Sequence, residues 1–120
     1  MSDDSGLYEH TKYRESSNGI NWSEEQNVLT ELKLKLIAPT VIKKDGVYYM
    51  WVVSTDGGCN LVSDSNLVRY SSNDGITWNP DTKIINNLPL ENGLKLWHPD
   101  IKYMPEFNEY WMIFSASSGN

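Results

Sequence analysis

Short apolar runs alternate with polar turns along the whole chain, and no stretch carries convincing helical periodicity. The run Val47-Tyr48-Tyr49-Met50-Trp51-Val52-Val53 is apolar or aromatic on both alternating sets of positions. That pattern predicts a strand buried on both faces, where a lone two-sheet sandwich would alternate more cleanly. Lys44-Asp45-Gly46 stands just before it, and Asp-Gly between two apolar runs is a strong hairpin signal. The pattern therefore predicts an inner strand over about 38–43, a tip at Lys44-Asp45-Gly46 and a second strand over 47–54. A polar loop, a third strand over 66–72, a tight turn at Asn73-Asp74-Gly75 and a fourth strand over 82–86 follow. Residues 24–36 are the sole helical candidate, and a strand with a loop fits them better.

The chain also repeats itself. Leu36-Ile37-Ala38-Pro39-Thr40-Val41-Ile42-Lys43 matches Leu96-Trp97-His98-Pro99-Asp100-Ile101-Lys102-Tyr103, with the prolines 60 residues apart. Each is followed by a turn and an aromatic-rich strand; Met50 and Met112 lie 62 apart, so the second hairpin is two residues longer. A second pair runs out of phase with the first. Arg14-Glu15-Ser16-Ser17-Asn18-Gly19-Ile20-Asn21-Trp22 matches Arg69 to Trp78, with Gly19 and Gly75 56 apart. Four antiparallel strands repeated in this way describe a β-propeller blade, so the expected fold is all-β. The phase divides the chain into a half blade (1–36), a full blade (37–96) and a second half blade (97–120). Half blades leave open edges. The chain is then either a piece of a longer protein or one of several copies that complete each other's blades.

Composition narrows the class. The net charge is −6 and no basic patch is visible, which argues against nucleic acid. The single cysteine, Cys59, allows no intrachain disulfide and lies in a Gly-rich polar loop away from any histidine partner in sequence. No apolar run reaches membrane-spanning length and no signal peptide is evident in the chain as it stands, so no membrane association is expected. Aromatic residues make up 12%, which suits strands and also sugar-binding surfaces.

Ser71-Ser72-Asn73-Asp74-Gly75-Ile76-Thr77-Trp78 resembles the Asp-box hairpin of sialidase-like propellers, with Asn73 where that pattern has Asp and a more degraded copy at 15–22. The resemblance implies a structural role: polar side chains tie the turn and the Trp packs between blades. The inner-strand segments Ala38-Pro39-Thr40-Val41 and Trp97-His98-Pro99-Asp100-Ile101 are similar to those of five-bladed propeller glycoside hydrolases, the arabinanase- and invertase-like enzymes of families 43 and 32. That resemblance implies a central funnel, a carbohydrate ligand, no cofactor and an extracellular location. Asp100 matches the aspartate that orients the general acid and tunes its pKa in family 43. The family's catalytic base precedes the proline of an inner strand, where this chain has Ala38 and His98, and its general acid belongs to a further blade.

Glycoside hydrolysis needs two carboxyl groups about 5–10 Å apart. Asp100 supplies one, so the sequence leaves hydrolysis open against a non-catalytic carbohydrate- or receptor-binding module and against a structural scaffold. Trp97 and His98 are candidates for a sugar platform and a hydroxyl partner, with blade packing as the competing role. Glu106 and Glu109 read as solvated hairpin-tip residues. Asp56 and Asp64 bracket a Gly- and Ser-rich loop without a calcium-loop spacing, so no metal is expected. Asn21-Trp22-Ser23 fits a glycosylation acceptor, but a buried Trp22 would block modification.

Overall fold

The computed structural model describes residues 8–32, 35–55, 65–85, 90 and 93–117. Among these the protein is all-β and antiparallel. Its strands are β1 (Tyr8–Tyr13), β2 (Gln26–Leu32), β3 (Lys35–Lys44), β4 (Val47–Thr55), β5 (Ser65–Ser72), β6 (Asn79–Ile85), β7 (Lys95–Met104) and β8 (Glu109–Ser117). They form a two-stranded sheet β1-β2, a four-stranded sheet β3-β4-β5-β6 and a two-stranded sheet β7-β8. The fourth strand begins at Asn79, three residues earlier than the sequence suggests, because Asn79 and Pro80 still pair with Ser71 and Tyr70. The expectations placed on Asp56, Asp64 and Cys59 lie outside the described residues.

The hairpin tips explain the spacing of the repeats. Between β3 and β4, Asp45 and Gly46 both take positive φ (54° and 84°), the geometry of a two-residue turn that matches strand twist. Between β7 and β8 the loop runs Pro105-Glu106-Phe107-Asn108, closed by amide bonds from Phe107 to the Met104 carbonyl (3.1 Å) and from Asn108 to the Pro105 carbonyl (3.2 Å). The two extra residues found by sequence spacing are therefore in the tip, since Lys44 pairs with Val47 in one hairpin and Met104 with Glu109 in the other.

The central sheet is buried from both sides, as its doubly apolar β4 requires. Trp51 and Val53 point one way and join Leu67 with Leu96 and Ile101 of β7; Met112 of β8 packs on the same cluster. Met50 and Val52 point the other way and join Leu36 and Tyr70, with Leu29 of β2 against them. The three sheets thus stack, with the four-stranded one in the middle. Pro99 keeps its place in the β7–β8 ladder opposite Phe114, whereas Pro39 falls in the irregular stretch of β3 between Ile37 and Thr40; both prolines lie on strands that are sheet edges among the described residues.

The two Gly-centred turns are built alike. In the second, the Ser72 hydroxyl accepts from the Asp74 and Gly75 amides (3.2 and 2.8 Å) and donates to Asp74 Oδ1 (3.0 Å). Asp74 Oδ1 then accepts from the Ile76 and Thr77 amides, both at 2.9 Å. The side chain that ties this turn is therefore Asp74, not the residue at position 73, which stays exposed. The earlier turn keeps the same scheme with Ser16 and Asn18: Asn18 Oδ1 accepts from Ile20 and Asn21 (2.9 and 3.0 Å). One amide oxygen does the work of the carboxylate, so this copy is not degraded in geometry. The tryptophans differ. Trp78 packs on the Met50 cluster and donates its indole N–H to the Gly75 carbonyl at 3.0 Å. Trp22 is 56% exposed, contrary to the sequence expectation. The burial that would shield Asn21 is absent, since no described sheet covers that turn.

Candidate functional site

The two inner strands β3 and β7 lie side by side across the stack. Both carry a bulge at the repeated proline motif: the β3–β4 register shifts between Ile37 and Thr40, and the β7–β8 register shifts between Leu96 and His98. A bulge adds one residue to a strand and re-aims the side chains around it. In β3 it forces Ala38 to a φ of 56°, the left-handed region that a Cβ disfavours. In β7 it makes Trp97 the extra residue, leaving it half-buried while His98 and Asp100 are exposed.

Thr40 and Asp100, equivalent positions of the repeat, meet here. The Thr40 hydroxyl accepts the Ile101 amide at 3.2 Å and donates to Asp100 Oδ1 at 3.4 Å. That satisfies an amide on the outer edge of β7 and uses the threonine hydroxyl as both donor and acceptor. The other carboxylate oxygen lies 3.7 Å from Lys102 Nζ, with 65% of the Asp100 side chain exposed. A pair so exposed is weak, so that oxygen remains an open acceptor. The Trp97 and His98 rings meet edge to face, their centroids 4.9 Å apart.

The structure thus groups Trp97, His98 and Asp100 on one short segment and adds two residues that sequence reasoning passed over, Thr40 and Lys102. Thr40 had a signal: it occupies the Asp100 position of the first repeat. Glu106 and Glu109 are exposed at the β7–β8 tip, where Glu109 accepts the Trp111 indole N–H at 3.0 Å. Among the described residues no group of three or more histidine, cysteine or acidic side chains is gathered to hold a metal. Neither β3 nor β7 carries a second carboxylate besides Asp100. What the segment offers chemically is an anchored carboxylate, an ammonium and a ring pair at a solvent-facing edge.

The stack of antiparallel sheets has a counterpart among known proteins. No family model matches the chain. A curated relative, A type blood N-acetyl-alpha-D-galactosamine deacetylase of Flavonifractor plautii, is 33% identical over 95 residues, covering 70% of this chain and 12% of that protein. The crystal structure of an N-acetylgalactosamine deacetylase from F. plautii, in complex with blood group B trisaccharide, superposes with a TM-score of 0.69 and 26% identity. The match covers 80% of this chain and 27% of that one, so the chain spans a small part of the proteins it resembles. Both are carbohydrate-active, and their named activity is deacetylation rather than cleavage of a glycosidic bond.

Proposed function

We propose that this chain is part of a carbohydrate-recognising β-propeller, and that the segment Trp97–Asp100, with Thr40 and Lys102, contacts a glycan ending in galactose or N-acetylgalactosamine. The observation that carries the reading is the Asp100 carboxylate: pinned through one oxygen by Thr40, open at the other, and two residues from an aromatic pair. A sugar ring offers an apolar C–H face to an aromatic side chain and hydroxyls to a carboxylate and an ammonium. Supporting it are the blood group trisaccharide bound by the similar solved structure and the galactosamine substrate named for the relative. The three sheets, of two, four and two strands, are half, whole and half blades in this reading.

The role we propose for this segment is recognition. A glycosidase of the kind the inner strands resemble needs a second carboxyl group flanking the bond, and β3 and β7 supply Asp100 alone. The test is calorimetric titration of the chain with blood group A and B trisaccharides, alongside the Asp100→Asn and Trp97→Ala variants. Binding weakened at least tenfold by each substitution is expected. Absence of binding, or binding indifferent to both substitutions, would refute the site. Release of acetate or of a monosaccharide by the chain would refute the binding-only role.

A further inference from the structure

The first of the two Gly-centred turns carries a chemistry that the second lacks. It reads Asn18-Gly19 where the second reads Asp74-Gly75. In an Asn-Gly pair the glycine nitrogen reaches the neighbouring side-chain carbonyl carbon readily, because no Cβ stands in the way. Asn18 is exposed, and so is Asp74 at the same place beside the four-stranded sheet. The exposure therefore belongs to the turn itself and does not depend on what covers the sheets.

The second turn shows what a carboxylate does in this geometry. The Ser16 hydroxyl donates to Asn18 Oδ1 at 3.1 Å, and the Ser72 hydroxyl donates to Asp74 Oδ1 at 3.0 Å. Ser16 Oγ accepts the Asn18 and Gly19 amides at 3.2 and 2.8 Å, and Ser72 Oγ accepts the Asp74 and Gly75 amides at the same two lengths. Asn18 Oδ1 accepts two further amides as Asp74 Oδ1 does. A carboxylate at position 18 thus finds its donors already in place. At Asp74 the Thr77 and Ile76 amides, with the Ser72 hydroxyl, hold the carboxyl below its ordinary value.

We infer that Asn18 is a site of spontaneous deamidation, which converts the first turn into the carboxylate form of the second. The Gly19 nitrogen gives its proton to base and bonds to Asn18 Cγ; the Cγ–Nδ2 bond breaks and that nitrogen leaves as ammonia. Water then opens the cyclic imide. Cleavage between Cγ and the Gly19 nitrogen gives aspartate, and cleavage between the main-chain carbonyl carbon and that nitrogen gives isoaspartate. The sum is asparagine and water going to aspartate and ammonia, with nothing oxidised or reduced. Ser16 is the brake. Its Oγ holds the Gly19 amide while its proton holds Asn18 Oδ1, so both reacting groups are engaged until the turn opens. Isoaspartate lengthens the main chain and shortens the arm of the carboxylate, so it does not reproduce these bonds. The folded turn accepts aspartate.

The experiment incubates the whole chain at alkaline pH, folded in buffer and separately unfolded in urea, and maps its proteolytic peptides by mass. Enzymatic methylation of isoaspartate tells the two products apart. The folded chain is expected to convert at Asn18, with a larger share of aspartate than the unfolded chain gives. Ser16→Ala is expected to raise the folded-state rate severalfold. Asn18→Asp is expected to keep the wild-type circular dichroism spectrum at neutral pH and to gain stability there. A lowered folded-state pKa contributes stability above the unfolded value that is lost as pH falls through the folded one, so this gain should vanish in acid. An Asn18 that stays an amide in the folded chain while the unfolded chain converts overturns the inference. So does an equal aspartate share in the two states, a Ser16→Ala rate no higher than wild type, or an Asn18→Asp variant less stable than wild type at neutral pH.

Discussion

Two-sided burial of the central sheet makes a prediction that a single substitution on either face can break. Val52 and Val53 are adjacent on β4, both at 0% exposure, and belong to different clusters. Shortening either to Ala removes two methyl-sized groups, a transfer loss of about 1.6 kcal/mol at ~0.8 kcal/mol each. The void left behind, at most about 50 Å³, adds up to about 1 kcal/mol if its walls do not collapse. Each variant should therefore lose about 2–3 kcal/mol, which for a chain of this size lowers the melting temperature by roughly 10 °C. Urea unfolding followed by tryptophan fluorescence measures it, with an unchanged slope showing that the unfolded reference is the same. The decisive comparison is between the two variants. A sheet with one wet face would make one of them nearly silent, so a loss below ~1 kcal/mol for either, against the ~2–3 kcal/mol expected, refutes the stacked arrangement.

Two further predictions concern the backbone. Ala38→Gly should stabilise the chain by about 0.5–1 kcal/mol, since left-handed backbone costs a Cβ-bearing residue ~1–2 kcal/mol and glycine's added chain entropy returns part of that; thermal unfolding that shows a loss instead would mean the β3 bulge is not as described. The Thr77 and Ile76 amides and the Ser72 hydroxyl hold the Asp74 carboxyl below its ordinary value of 3.8. A lowered folded-state pKa contributes stability that is present above the unfolded value and lost as pH falls through the folded one. Asp74→Asn, which keeps one acceptor oxygen as Asn18 does, should flatten the stability profile below about pH 4 while leaving it folded at neutral pH; an unchanged acid limb rules out this contribution.

How much of this was legible in the sequence depends on whether a feature is local. The Asp45-Gly46 turn, the doubly apolar β4 and the two-residue difference between hairpins follow from chemistry within a few residues, and the structure agrees with each. Trp22 was misread because burial is set by what stacks on a turn, and two turns with one hydrogen-bonding scheme have different neighbours. Ala38 was invisible because a residue before proline ordinarily reads as extended, while the bulge forces it to a φ of 56°. Thr40 went unnoticed because a threonine on a strand is unremarkable until its hydroxyl is seen to serve the next sheet.

The inner strands also show how a repeated motif separates fold from chemistry. Leu36 and Leu96 are buried, and the prolines hold both edges, so these positions stay alike between repeats. The intervening positions diverge: Ile37 becomes Trp97, Ala38 becomes His98, and Thr40 becomes Asp100. The last exchange is constrained by the contact itself. The two equivalent side chains approach to 3.4 Å, and a hydroxyl meets a carboxylate there without penalty because it donates to one oxygen while accepting an amide. Two carboxylates at that distance would repel, and one would be driven to take up a proton. A threonine in one repeat thus anchors the aspartate of the next through one of its two oxygens.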